Sequence, residues 1–253
     1  MRAARAGIKG EYMGTENDRF NDWVVYQIYP RSFCDSNGDG IGDLNGIRQK
    51  IPHLLDLGVN AVWISPCYKS PNYDNGYDIA DYRDIMDEFG TLDDWKRLAA
   101  ELHTDGIRLV MDLVVNHTSS EHRWFREARQ SRDNPYHDYY IWADKPRNDW
   151  HSLFGGSAWE YNPATNEYYL HSFAVQQPDL NWENPAVRRE CCDIVDFWTD
   201  LGRKKGDAPV DVTGYLKNLP LVTVNGVTRK FINGIGYGID GYCCEVGDKM
   251  RAE

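Results

Sequence analysis

The 253-residue chain has no stretch approaching the roughly 18 consecutive apolar residues that a membrane span requires. Its basic start, Met1 to Gly10, runs into Glu11, Asn17 and Asp18 instead of an apolar segment, so it does not read as a secretory signal. Residues 1–20 read as a loose extension. Positive charge is scarce: 28 Lys and Arg stand against 39 Asp and Glu, a formal charge of −11 that repels phosphate backbones and disfavours a nucleic-acid binder. Cysteine is sparse as well. The six residues, Cys34, Cys67, Cys191, Cys192, Cys243 and Cys244, form no C-x-x-C pair, which disfavours zinc and thioredoxin-type sites. Reduced thiols in a cytoplasmic protein are the simpler expectation. Internal repeats and low-complexity tracts are absent too.

Aromatic residues are abundant at 13%, with 9 Trp and 16 Tyr, side chains suited to interfaces and to stacking on sugar rings. Apolar residues at 42% suffice for a core. Val24–Tyr29, Ala61–Ser65 and Arg108–Val114 read as short buried strands. Between them, Ile47, Ile51, Leu54, Leu55 and Leu57 mark one helix ended by Gly58. Thr91 to Asp94 caps a second helix that reaches about His103 and stops at Asp105-Gly106. Strands alternating with helices of this length predict βαβ units and a parallel sheet. From Thr118 to about Asp179 the periodicity is lost, and the segment is too long for a plain loop, so a small inserted domain is expected. A helix resumes at Pro185, with Val187, Cys191, Ile194, Val195 and Trp198 on one face, closed by Gly202. Leu221–Thr228 reads as a hairpin about Asn225-Gly226, and Gly238–Val246 as a fourth parallel strand. The divisions are therefore 1–20, 21–117, 118–180 and 181–253, the last with an atypical insertion at 203–237.

Four constellations could carry chemistry. Asp35, Asn37, Asp39, the Ile41 carbonyl and Asp43 alternate as oxygen ligands, with Gly40 permitting a sharp turn, as in a loop that wraps one hard cation. Calcium suits so many flexible ligands better than magnesium does. Gly46 at the twelfth position lacks the bidentate carboxylate of an EF-hand, and a solvated acidic turn is the plain alternative. Asp112, Asn116 and His117 fall at the end of the third strand, where a parallel barrel gathers its active site. Asp74-Asn75-Gly76-Tyr77-Asp78 follows the second strand and offers a carboxylate and a ring, though it equally fits a tight Asn-Gly turn. Glu245 closes the fourth strand on the same rim; its alternative is an exposed carboxylate near the chain end.

Taken in order, Tyr26-Gln27-Ile28-Tyr29-Pro30-Arg31-Ser32-Phe33, the Asp35–Asp43 loop, Asp74–Asp78, Asp112–His117 and Gln177-Pro178-Asp179-Leu180-Asn181 resemble the α-amylase superfamily. This is glycoside hydrolase family 13, and the resemblance is closest to its α-glucosidase and oligo-1,6-glucosidase branch. It implies an α/β fold, a partial (β/α)8 barrel of about four β/α units with a small domain inserted after the third strand. It also implies retaining hydrolysis of short α-glucosides, isomalto- or malto-oligosaccharides. On this resemblance Tyr77 supplies a stacking ring under the non-reducing glucose, Asp74 and His117 bond its hydroxyls, and Asp112 steadies the site. Glu245 stands at the nucleophile position, where the family has Asp, and Cys243 stands where it has an anchoring Arg. The family's acid/base glutamate and later His-Asp pair belong to strands that the sequence does not contain. Trehalose-6-phosphate hydrolase and sucrose-isomerising relatives are the nearest alternatives, and a catalytically inactive homologue or truncated gene product is an alternative of another class. Val246, after the nucleophile position, matches the α-1,6 branch. The open edges of a partial barrel lead us to expect self-association.

Overall fold

The structure, a computed structural model, describes residues 23–202 and the backbone of two strands at 221–224 and 227–230. In chain order the elements are β1 (Val25–Ile28), α1 (Pro30–Phe33), α2 (Leu44–Gln49), α3 (Ile51–Asp56), β2 (Ala61–Ile64), β3 (Tyr68–Lys69), β4 (Asp81–Ile85), α4 (Leu92–Thr104), β5 (Arg108–Met111), α5 (Arg123–Ala128), β6 (Trp142–Ala143), β7 (Trp159–Asn162), β8 (Glu167–Leu170), α6 (Pro185–Gly202), β9 (Leu221–Val224) and β10 (Val227–Lys230). The sheet that organises them is β1-β2-β5, wholly parallel, with Val25 beside Ala61 beside Arg108 and Ile28 beside Ile64 beside Met111. Every connection between these strands carries a helix, as parallel pairing demands. These are the first β/α units of a (β/α)8 barrel.

The helix expected over 47–57 is two helices. Pro52 lacks an N–H and its ring crowds the carbonyl of Arg48, so regular bonding is interrupted at Lys50 (φ −97°, ψ 2°) and restarts with Pro52 in the first turn of α3. The α4 start is as the sequence implies. Thr91 accepts from the Asp94 N–H while the Asp94 carboxylate accepts from the Thr91 N–H, a complete capping box. Trp95, Leu98, Ala99 and Leu102 form the buried face of α4, and Val187, Cys191, Ile194 and Trp198 that of α6. The two helices meet through Trp95 and Trp198, whose rings lie edge to face at 5.0 Å. Trp198 also donates its indole N–H to the Tyr82 carbonyl.

Between β5 and α6 the chain forms α5 and a second sheet, β6-β8-β7, antiparallel throughout. Phe125, Tyr140, Trp142 and Tyr169 of this segment pack into the same buried cluster as the barrel residues; only Ala158, Trp159 and Leu170 make a separate one. The third barrel strand ends at Met111, short of the expected Val114, so Asp112 to His117 runs irregularly from its carboxyl end. The strands β9 and β10 pair antiparallel, Val224 with Val227. The Asn225-Gly226 turn, residues 1–20, the fourth strand at 238–246, Cys243 and Glu245 lie outside the described residues. Among the described residues, no helix is long and apolar enough to cross a membrane.

Candidate active site

Three stretches leave the carboxyl ends of β2 and β5 and the antiparallel sheet, and they converge. The first is the turn after β2. Asp78 is fully buried and accepts from the N–H groups of Tyr73 (3.1 Å) and Asp74 (2.9 Å), which closes the turn from inside. Burial raises the carboxyl pKa of Asp78, and those N–H bonds act against it. Gly76 sits at φ 91°, and a Cβ there would come within 2.8 Å of the Pro66 carbonyl oxygen, so the turn requires glycine. This geometry aims Asp74 and Tyr77 at the strand ends.

The second stretch supplies Asp112 and His117. The Tyr77 hydroxyl donates to Asp112 Oδ2 at 3.1 Å, and the Tyr68 hydroxyl donates to the Asp112 carbonyl at 2.5 Å. Burial first and the Asp112 charge second push the Tyr77 phenol above its usual range, so it stays a neutral donor. His117 is 3% exposed and lies 3.0 Å from the Tyr77 carbonyl through Nε2. Desolvation lowers its pKa to about 4, so the imidazole is neutral near pH 7. Its backbone carbonyl accepts from the Tyr82 hydroxyl, which also reaches the Val114 carbonyl.

The third stretch, Ser172 to Asp179, brings two side chains that the sequence reading did not assign to the site. Gln177, with no exposed surface, donates from Nε2 to Asp74 Oδ2 at 2.9 Å. Its Oε1 accepts from the Ala174 N–H at 2.9 Å, which fixes the amide's orientation. The Phe173 ring lies 5.0 Å from the His117 ring, with Phe154 a further 6.2 Å beyond. The Phe173 carbonyl accepts from Ser152 Oγ (2.7 Å) and from His171 Nδ1 (2.9 Å), so the loop is fastened on both sides. Asp74, Tyr77, Asp112 and His117 therefore form one linked cluster with Gln177 and Phe173. Glu245 lies outside the described residues.

The cation loop is a separate place. Asp35 accepts from the N–H groups of Asn37, Gly38 and Gly40, which hold its carboxyl below the usual range, Gly40 contributing most. Asp43 is buried, caps α2 by accepting from Gly46, and accepts from both the N–H and the hydroxyl of Ser36. Asn37 and Asp39 bond each other. Among the described residues, no three His, Cys, Asp or Glu side chains group closely enough to hold a metal ion. A cation here would also need the Asn37 and Ile41 oxygens.

Comparison with known proteins decides the family. The family described as "Alpha amylase, catalytic domain" matches residues 27–232, which include every described member of the cluster. The chain belongs to the α-amylase family. Within that family it is 66% identical over 183 residues to the oligo-1,6-glucosidase of Parageobacillus thermoglucosidasius, covering 71% of this chain and 33% of the relative. It is 56% identical over 231 residues to that of Bacillus cereus, covering 89% and 41% respectively. The trehalose-6-phosphate hydrolase of Bacillus subtilis is 54% identical over 184 residues, 71% of this chain and 33% of that one. A crystal structure of a mutant MutB in complex with the substrate sucrose matches with a TM-score of 0.71 at 53% identity, over 72% of this chain and 34% of that one. The chain spans about a third of the length of most of these relatives. The expected membership and barrel fold are thus borne out.

For this α-amylase-family chain, the residues missed by sequence reading had a signal. Gln177-Pro178-Asp179 was visible as a family signpost, and an uncharged amide beside a buried carboxylate in an aromatic-rich loop needs partners. Those partners lie as far as 103 positions away, which local patterning does not reveal.

Proposed function

We propose that the chain forms the glucose-holding part of a retaining α-glucosidase-type glycoside hydrolase that acts on short α-glucosides, isomalto-oligosaccharides first. The observation that carries this reading is the linkage of Asp74, Tyr77, Asp112, His117 and Gln177 at the carboxyl ends of β2 and β5. A hexose there meets an aromatic face at Tyr77 and, around it, carboxylate and amide groups for its hydroxyls. Asp74 would bond those hydroxyls and Asp112 would steady the site through Tyr77, whereas His117, expected from the sequence to bond a hydroxyl, is buried with both ring nitrogens engaged and would hold the Tyr77 turn from beneath. Retaining hydrolysis further needs an attacking carboxylate and a protonating one about 5–5.5 Å apart. Glu245 takes the attacking position in this reading, with one methylene more than the family's Asp.

Titration of the chain with glucose and isomaltose, followed by tryptophan fluorescence or calorimetry, tests the reading. Saturable binding, weakened at least about tenfold by Tyr77→Ala through loss of its stacking surface, is expected. Binding that is absent, or unchanged in Tyr77→Ala and Asp74→Ala, would overturn it. Preference for trehalose 6-phosphate would move the assignment to that hydrolase, and sucrose converted to an isomer would move it to the isomerising relatives. Turnover of p-nitrophenyl α-glucoside by the chain itself is expected at background; clear turnover abolished by Glu245→Gln would refute that.

We also propose a structural calcium ion held by Asp35, Asn37, Asp39, the Ile41 carbonyl and Asp43. The donor set is all hard oxygen, and Gly38 and Gly40, at φ 85° and 89°, turn the loop sharply, which fits calcium. Calcium should raise the melting temperature, and Asp39→Asn should remove the effect. The edges of the parallel sheet, β1 and β5, have one strand partner each among the described strands, which supports self-association, checked by light scattering. Among the described residues, Cys34, Cys67 and Cys191 are thiols, which supports a reducing, cytoplasmic location.

A further inference from the structure

We infer that Asp179 is a positioning residue for the Tyr77 turn, acting through Asn116 and the imidazole of His117. Its purpose rests on the glucose-site reading above; its geometry does not. Asp179 is 5% exposed, and its Oδ1 accepts from the Ser172 N–H at 3.0 Å and from Asn116 Nδ2 at 3.2 Å. Its Oδ2 accepts from the Ser172 hydroxyl. Backbone pairing sets the two segments side by side: Leu180 N–H donates to the Asn116 carbonyl at 2.8 Å and Thr118 N–H to the Pro178 carbonyl at 3.2 Å.

Because Asp179 Oδ1 is an acceptor, Asn116 must turn its NH2 group inward rather than its oxygen. The same Nδ2 stands 3.2 Å from His117 Nδ1, which must then be the bare nitrogen of the ring. The ring proton is left on Nε2, 3.0 Å from the Tyr77 carbonyl, and donates to it. The opposite tautomer would oppose N–H to N–H at Asn116 and lone pair to lone pair at Tyr77. Against these two conflicts, it would relieve one, since the Nε2 proton faces the Gln177 NH2 at 3.1 Å, a group that already donates to Asp74. The Asp179 Oδ1, fixed as an acceptor by the Ser172 N–H, thus selects the imidazole tautomer, and that tautomer ties down the backbone from which the Tyr77 ring projects. Burial keeps the imidazole neutral, so the position of a single proton carries the message.

The experiment uses the chain labelled with 15N-histidine, without sugar. Long-range 1H–15N spectra separate protonated from bare ring nitrogens, and the His117 signals are identified by their loss in His117→Asn. A protonated Nε2 and bare Nδ1 are expected in the unmodified chain. Asp179→Leu, which keeps bulk but no acceptor, should raise the Nδ1-protonated share from under about a tenth to about half. Asp179→Asn, which keeps an oxygen toward Asn116 and an NH2 toward the Ser172 hydroxyl, should restore the single tautomer. A merely structural role would not distinguish these two variants by tautomer. Protonated Nδ1 in the unmodified chain, or an unmoved tautomer in Asp179→Leu, would overturn the inference. Should Asp179→Leu fail to fold, Asn116→Leu cuts the same link from the other end, and an unmoved ring there is equally fatal. Failure of glucose binding with the tautomer as described would refute the sugar reading alone.

Discussion

Removing the charge of Asp179 should make the protein more sensitive to acid, even though the carboxyl is buried. Desolvation raises its pKa from 3.8 to about 7, while the same cause lowers His117 from 6.5 to about 4 and His122 from 6.5 to about 3. The folded-state pKa of each histidine is depressed, so its stabilising contribution is present above pH 6.5 and is lost as pH falls toward the folded value. Asp179 works oppositely: the folded state takes up a proton more readily than the unfolded chain, so it contributes stability at low pH that is lost as pH rises toward 7. Between about pH 7.5 and pH 5 the two histidines together cost about 4 kcal/mol, and Asp179 returns about 2–3 kcal/mol. In Asp179→Asn that return disappears. The stability of the variant should therefore fall by about 2–3 kcal/mol more than that of the unmodified chain over the same interval. Urea unfolding at the two pH values measures both losses, and the comparison cancels every other titrating group. Parallel pH dependences in the two proteins would refute the reasoning.

Other outcomes follow from the packing. Gly46→Ala would place a Cβ 1.8 Å from the Cys34 carbonyl oxygen, a backbone atom that cannot swing aside. A loss of at least about 3 kcal/mol, read as a fall in melting temperature, is expected. Thr91→Ala removes one arm of the α4 capping box and should cost about 1 kcal/mol in denaturant unfolding. Among the described cysteines, Cys67 and Cys191 are buried and their thiols are pushed up by desolvation, Cys67 to about 12. A thiol reagent should therefore modify Cys34 in the native chain and leave Cys67 and Cys191 untouched, as peptide mapping would reveal.

Much of this architecture is written locally. Short apolar runs mark β1, β2 and β5, although only β2 is mostly buried as expected, while β1 and β5, at the edges of the described sheet, are largely half-buried or exposed. Thr91 and Asp94 announce α4 because a helix start must satisfy its first N–H groups. The division at Lys50 was also legible, since Pro52 forbids a continuous ladder, but the apolar spacing of Ile47 to Leu57 outweighs it when periodicity alone is read. Asp74, Tyr77, Asp112 and His117 could be picked out because polar residues cluster just after strands. Gln177, Phe173 and Asp179 could not be linked to them by spacing. Their roles arise from a loop that returns across the antiparallel sheet, and such closure depends on the packing of Phe125, Trp142 and Tyr169 rather than on any short motif.

The bond from Gln177 to Asp74 has a bearing on biosynthesis. Because chains grow from the N-terminus, the strand carrying Asp74's turn leaves the ribosome with its partner amide still more than a hundred residues from being made. A nascent chain halted near Glu167 would hold β1, β2 and β5 but would lack Gln177, and with it the bond that ties the Asp74 turn to the later loop. This long-range bond can then stabilise only the last stage of maturation and cannot nucleate the earlier ones.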